Sequence, residues 1–260
     1  YPQQLTRSQG EQVAITLWNM KDPSSAKDEF RRGYYQQCRI EGDFQVSWED
    51  NAVETVRTQL RYQGSPMKGN AFKLVMRLVG RHAENRTLAE CGYSNEQCEA
   101  LEKAAMTSDG LILISGPVNS GKTVTLGAMG AFQVAVYGSR KVIATVEDPI
   151  ELNIPGASQH PVVGDSADAF DEAVRAALRQ DVNTIILGEV RTEATADIVR
   201  RAAETGHLVM TTIHATNAWT TLTRAINLGI DIEKLGEPGF LRAICNQRLL
   251  PMLCQECAVP

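Results

Sequence analysis

Gly116-Pro117-Val118-Asn119-Ser120-Gly121-Lys122-Thr123 satisfies the pattern G-x-x-x-x-G-K-[ST] at every fixed position. The glycines let a short loop curl until its N–H groups point at phosphate oxygens, and a helix starting at its end adds partial positive charge. In such a loop Lys122 reaches the β- and γ-phosphates, and the Thr123 hydroxyl binds Mg2+. Gly116, Pro117, Asn119, Ser120, Gly121 and Val124 complete the expected nucleotide cradle. An apolar run, Leu-Ile-Leu-Ile-Ser, leads into the loop and a helical stretch leads out, as the motif requires.

Three further segments carry groups suited to phosphate chemistry. Residues 142–146 read as a strand that runs into Glu147-Asp148-Pro149-Ile150-Glu151. Carboxylates beyond the C-terminal end of a strand lie where open α/β sheets bind ligands. An Asp-Pro step is also a common turn starter, so a solvated acidic turn is the competing reading. Residues 184–188 form a second such strand, followed by Glu189 and Arg191. An acidic residue in that place holds a Mg2+ shell or polarises the attacking water. His207 and His214 bracket a third run at 208–213. His214 follows the strand and so faces the same crevice, as a sensor of the γ-phosphate. His207 either joins it or ties down a turn.

The elements that must position these groups form a rhythm. Apolar runs at 111–115, 142–146, 184–188 and 208–213 alternate with helical stretches at 122–136, 168–179, 193–204 and 217–228. That alternation predicts an α/β fold with a mainly parallel sheet covered on both faces. A preceding helix opens at Ser94, with Gln97 at capping-box spacing. Upstream the chain is polar and mixed, with short β-like runs such as 72–79, and the pattern breaks near 80–93.

Composition narrows the class. With 43% hydrophobic and 22% charged residues among 260, the chain can bury a core, which excludes wholesale disorder or coiled coil. Its 26 basic and 31 acidic residues give a net charge of −5, which argues against a generally basic nucleic-acid or membrane-surface binder. No apolar run approaches the ~18 residues of a membrane span. The start at Tyr1 has neither an initiator Met nor a signal-peptide stretch, so a trimmed chain is expected. Six cysteines are too few for a disulfide scaffold at this length, and reduced thiols in a cytosolic enzyme are the better reading.

The order GPVNSGKT, TVEDPIE, LRQDVNTIILGEVR, TGHLVMTTIHATNA resembles the secretion and type IV pilus ATPase superfamily. The resemblance implies a RecA-like P-loop core at 88–260, preceded at 1–87 by part of a smaller regulatory α/β domain. It makes the four segments a Walker A loop, an aspartate box, an atypical Walker B element and a histidine box. One of Glu147 and Glu189 then orients water while the other supports the metal. Gln37-Cys38-Arg39-Ile40 resembles the family's Q-D-G-R-I, and Arg61-Tyr62-Gln63-Gly64-Ser65-Pro66 its R-V-S-T-x-P, which implies that Arg39 and Arg61 reach the phosphates. Arg191-Thr192-Glu193-Ala194-Thr195 departs from the family's R-D-x-E-T, and Val182-Asn183 from a common Pro-Asp. The C-terminal stretch from Gln247 to Cys257 resembles the start of a four-cysteine zinc module. Cys254 and Cys257 supply two of its four ligands, so zinc is expected only in a longer chain.

The resemblance implies that the chain hydrolyses ATP with Mg2+. It would power type IV pilus biogenesis or type II-like secretion as a homo-hexamer. Its partners would be inner-membrane platform or assembly proteins, with no nucleic acid, and its place the cytoplasmic face of the bacterial inner membrane. A retraction or type IV secretion motor is the alternative within the class, and a slow nucleotide-gated structural hub the alternative outside it.

Overall fold

The computed structural model describes residues 36–47, 53–67, 71–79, 86–163 and 168–251. Backbone packing divides the chain into two compact units, Tyr1–His82 and Ala83–Pro260. The first contains an antiparallel sheet of β1 (Gln36–Ser47), β2 (Val53–Met67) and β3 (Ala71–Val79), in that order. Its register sets Arg39 opposite Arg61, and Arg61 opposite Arg77. β3 covers the run read as β-like, whereas β1 and β2 are far longer than the short runs expected. Pro66 is the penultimate residue of β2 and lies past its last pair with β1 at Gly64.

The second unit alternates strand and helix. Its elements are α1 (Asn95–Ala105), β4 (Gly110–Ser115), α2 (Lys122–Tyr137), β5 (Ile143–Glu147), β6 (Ser158–Pro161) and α3 (Ala169–Leu178). They continue with β7 (Thr184–Leu187), α4 (Glu193–Glu204), β8 (Leu208–Ile213), α5 (Ala218–Asn227), α6 (Ile232–Gly236) and β9 (Leu241–Asn246). The six strands form one sheet in the order β6-β5-β7-β8-β4-β9, and every pairing is parallel.

The period of two along each strand sorts side chains into two layers. Leu111, Leu113, Ile185, Leu187 and Val209 pack with Val174 of α3 and Ile198 and Val199 of α4. Ile112, Ile114, Ile186, Leu208 and Met210 pack with Leu101 of α1 and Leu126 and Met129 of α2. Strands buried on both faces read as nearly continuous apolar runs, which is why the central ones were visible in the sequence. Gly130 lets α2 close onto β7, since a Cβ there would lie 2.7 Å from Ile186 Cδ1. The capping box at α1 forms as read: Ser94 Oγ accepts from the Gln97 N–H, and Gln97 Oε1 accepts from the Ser94 N–H. The elements not anticipated are β6, β9 and α6. β6 is Ser-Gln-His-Pro, β9 is a half-buried edge strand, and α6 has five residues, so none carries a strong apolar period.

Candidate nucleotide site

Because the sheet is parallel, the C-terminal ends of its strands share one edge. Ser115 of β4 pairs with Ile213 of β8, Thr211 of β8 with Leu187 of β7, and Leu187 with Val146 of β5. The next residues along the chain, Gly116, Glu147, Gly188-Glu189 and His214, therefore emerge together. Asp148 and Glu151 follow on the segment after β5. Arg191 follows on the segment after β7.

The phosphate loop is shaped by residues that enter the left-handed region: Gly116 at φ 154°, Asn119 at φ 60° and Gly121 at φ 82°. A Cβ on Gly116 would lie 2.4 Å from the Gln247 carbonyl and 2.5 Å from Ser120 Oγ, so only glycine fits there. Asn119 is the non-glycine type that best tolerates this conformation. Gly121 is the N-cap of α2 and contributes no side-chain cap, so the first-turn N–H groups and the helix dipole serve an anion. Pro117 and Asn119 are exposed, Ser120 is buried, and Thr123 and Val124 lie half-buried in the first turn of α2.

Lys122 is only 8% exposed and folds back over the loop. Its Nζ donates to the carbonyls of Gly116 (3.1 Å) and Pro117 (2.8 Å) and reaches Nδ1 of His214 at 3.5 Å. Burial lowers its pKa, and the charge of Glu189 opposes that shift. An ammonium can only donate, so the His214 proton sits on Nε2. That nitrogen faces Glu189 Oε1 at 3.3 Å. The other carboxylate oxygen of Glu189 accepts from Arg191 Nε at 2.9 Å. Lys122, His214, Glu189 and Arg191 thus form one continuous polar chain across the ends of β4, β8 and β7.

Glu147 sits apart from that chain, 8% exposed. Thr145, two residues back on the same face of β5, donates to its Oε1 at 2.6 Å, and Gln159 Nε2 donates to the same oxygen at 3.4 Å. Gln159 pairs with Thr145 across β5–β6, and its amide also bonds Leu152 O and the Ile154 N–H. Burial raises the pKa of Glu147, against these hydrogen bonds and one from the Glu151 backbone. Glu147 and Thr123 line the same small cavity, with Leu126, Leu152, Ile154 and Gly188 among its walls. A hydroxyl and carboxylates are hard oxygen donors, and a Mg2+ bound mainly by phosphates and water needs few of them. Among the described residues no three His, Cys, Asp or Glu side chains gather into a protein-only metal cluster. The donor set suits Mg2+ held jointly with a nucleotide.

His207 is not brought to this site. It precedes β8, one six-residue strand away from His214, or about 20 Å at the usual rise. Its Nδ1 lies 3.1 Å from Ala202 O and 3.2 Å from Thr205 Oγ1, where it ties down the end of α4. Arg39 and Arg61 belong to the first unit, and Cys254 and Cys257 lie outside the described residues.

Two residues that bond the loop and Glu147 escaped the sequence reading. Gln247, the first residue past β9, bonds Tyr93, Thr125, Ser120 and Ser115 around the loop. Gln159 steadies Glu147. Both act through strand register, which no local motif announces.

A glycine-hinged loop between a buried strand and an uncapped helix, with a buried lysine folded over it, sits on a parallel sheet of the RecA-like α/β class. The chain belongs to the type II/IV secretion system protein family, whose model matches residues 44–259. It is 37% identical over 186 residues to the type IV pilus assembly ATPase PilB of Pseudomonas aeruginosa, covering 71% of this chain and 32% of that protein. It is 34% identical over 218 residues to the protein transport protein HofB homolog of Escherichia coli, covering 84% and 45%. Among solved structures it resembles the pilus retraction motor PilT with bound ADP, at TM-score 0.60 and 29% identity, covering 81% of this chain and 59% of that one. The chain spans less than half the length of these two curated relatives. Among the described residues no helix is long and apolar enough to cross a membrane.

Proposed function

We propose that this chain carries the ATP-hydrolysing part of a motor that powers type IV pilus biogenesis or type II-like secretion. The observation that carries this reading is the Lys122–His214–Glu189 chain at the mouth of the phosphate loop, with the buried Glu147 beside Thr123. The loop N–H groups and α2 hold the phosphates, and Lys122 exchanges its two loop carbonyls for phosphate oxygens as negative charge moves towards ADP. Glu147 takes the proton of the attacking water, because burial raises its pKa and so makes its carboxylate a stronger base. Glu189 is paired with Arg191, and its contact with His214 lets the histidine register whether Lys122 is on the loop or on phosphate. Thr123 and Glu189 would hold Mg2+ together with the nucleotide, and the ion would supply positive charge for the phosphate oxygens.

Arg39 and Arg61 are further phosphate-contacting residues, and the chain works in a homo-hexamer at the cytoplasmic face of the inner membrane beside platform or assembly proteins. Similarity to a pilus assembly ATPase and a protein transport protein supports this setting. The experiment is steady-state phosphate release from ATP by the purified chain, with Mg2+ and with excess chelator. Turnover that requires Mg2+ is expected. A chain that neither binds nor hydrolyses ATP at millimolar concentration would overturn the proposal.

A further inference from the structure

We propose that Gln247 is a positioning residue for the phosphate loop, whose side-chain amide sets the direction of the Ser120–Gly121 peptide. The inference rests on the nucleotide-binding reading above and deepens it. Gln247 lies at the end of the edge strand β9, where its own N–H donates to Ser115 O at 2.9 Å and carries the β4–β9 ladder one step further. From there its amide oxygen accepts from Tyr93 Oη and from Thr125 Oγ1, each at 2.8 Å. Its amide nitrogen donates to Ser120 O at 2.7 Å. The Ser120 carbonyl can only accept, so the amide nitrogen must face it, and the amide oxygen is left to the two hydroxyls, which can turn their protons towards it. Burial raises the pKa of Tyr93, which keeps its hydroxyl a donor.

A trans peptide points its C=O and N–H in opposite directions. Fastening Ser120 O to β9 therefore turns the Gly121 N–H away from β9. Gly121, at φ 82°, has no Cβ to prefer one orientation, so that peptide would otherwise be free to rotate. The backbone of Gln247 also abuts the other end of the loop, since its carbonyl is what a Cβ on Gly116 would strike. One residue on an edge strand thus touches both ends of the phosphate loop, while Tyr93 and Thr125 hold that residue from two further segments.

The test is titration of the full chain with a fluorescent ADP in Mg2+, together with steady-state ATP turnover and a thermal melt. Gln247→Met keeps the length and removes the amide. Loop N–H groups hold the diphosphate equally in the ground and transition states, so Kd for ADP and KM for ATP should rise together by about tenfold, with kcat within about twofold. Tyr93→Phe removes one donor to the amide oxygen and should raise both by about threefold, which keeps the test decisive should Gln247→Met melt early. Gln247→Glu retains the acceptor for Tyr93 and Thr125 but sets oxygen against Ser120 O, and should bind no better than Gln247→Met. Unchanged Kd and KM in folded Gln247→Met and Tyr93→Phe would overturn the role, as would a loss of kcat at constant KM, the signature of a lost folded fraction. A wild-type chain without nucleotide affinity would instead contradict the reading beneath it.

Discussion

Replacing Glu147 by Gln removes a charge and a proton acceptor while keeping the shape of the side chain. The hydrogen bonds from Thr145 Oγ1 and Gln159 Nε2 both end on one oxygen, and an amide oxygen can accept both. Burial holds the Glu147 carboxyl above its ordinary value, outweighing the hydrogen bonds that pull it down. A carboxyl whose folded pKa exceeds its unfolded one binds protons more tightly in the folded chain. Its contribution to stability is therefore greatest below the unfolded pKa and is lost as pH rises through the folded value. Glutamine carries no such loss, so the variant should gain on wild type from acid to neutral pH and be at least as stable at pH 7. Turnover should move the other way. Loss of a general base lowers kcat by about 10²–10⁴, with KM for ATP within about threefold. Denaturant melts across pH, paired with steady-state phosphate release, separate the two effects. A variant much less stable than wild type at neutral pH would make the carboxylate structural, and kcat within about threefold of wild type would remove Glu147 from the chemistry.

Three other substitutions probe separate links. Gly116→Ala forces a Cβ to within 2.4 Å of the Gln247 carbonyl at φ 154°; it should cost about 1–3 kcal/mol in urea melts and weaken ADP binding in the same preparation. Arg61→Ala should cut turnover by about 10²-fold with the nucleotide-free melt unchanged; full activity would remove Arg61 from the chemistry. Ser94→Ala removes the acceptor for the Gln97 N–H and should destabilise the fold by about 1 kcal/mol in equilibrium unfolding.

What could be read beforehand follows from where information is local. The phosphate loop is a contiguous string whose glycines are demanded by φ and close contact, so Gly116 through Thr123 was visible at once. The central strands were visible because burial on both faces makes them continuously apolar. Glu147, Glu189 and His214 were legible as residues that follow strands, since a parallel sheet brings such residues to one edge. His207 carries the same side chain as His214, yet it sits at the start of the strand rather than its end, and one strand length separates the two. Gln159 and Gln247 stayed hidden because their partners are set by β5–β6 and β4–β9 pairing, in strands too short or too exposed to show a period. The length of β1 and β2 was hidden for a related reason: their antiparallel pairing sets where they end, and their polar, mixed sequence carries no sustained apolar period.

The central claim is that this P-loop does the chemistry, and Lys122 is the residue through which to test it. Its ammonium now rests on two loop carbonyls, the position from which it can follow charge onto phosphate oxygens. Steady-state phosphate release from Mg-ATP by Lys122→Ala, with folding verified by the melt, should fall by at least about 10²–10³-fold relative to wild type. Wild-type turnover in a folded Lys122→Ala chain would contradict the assignment of the whole site.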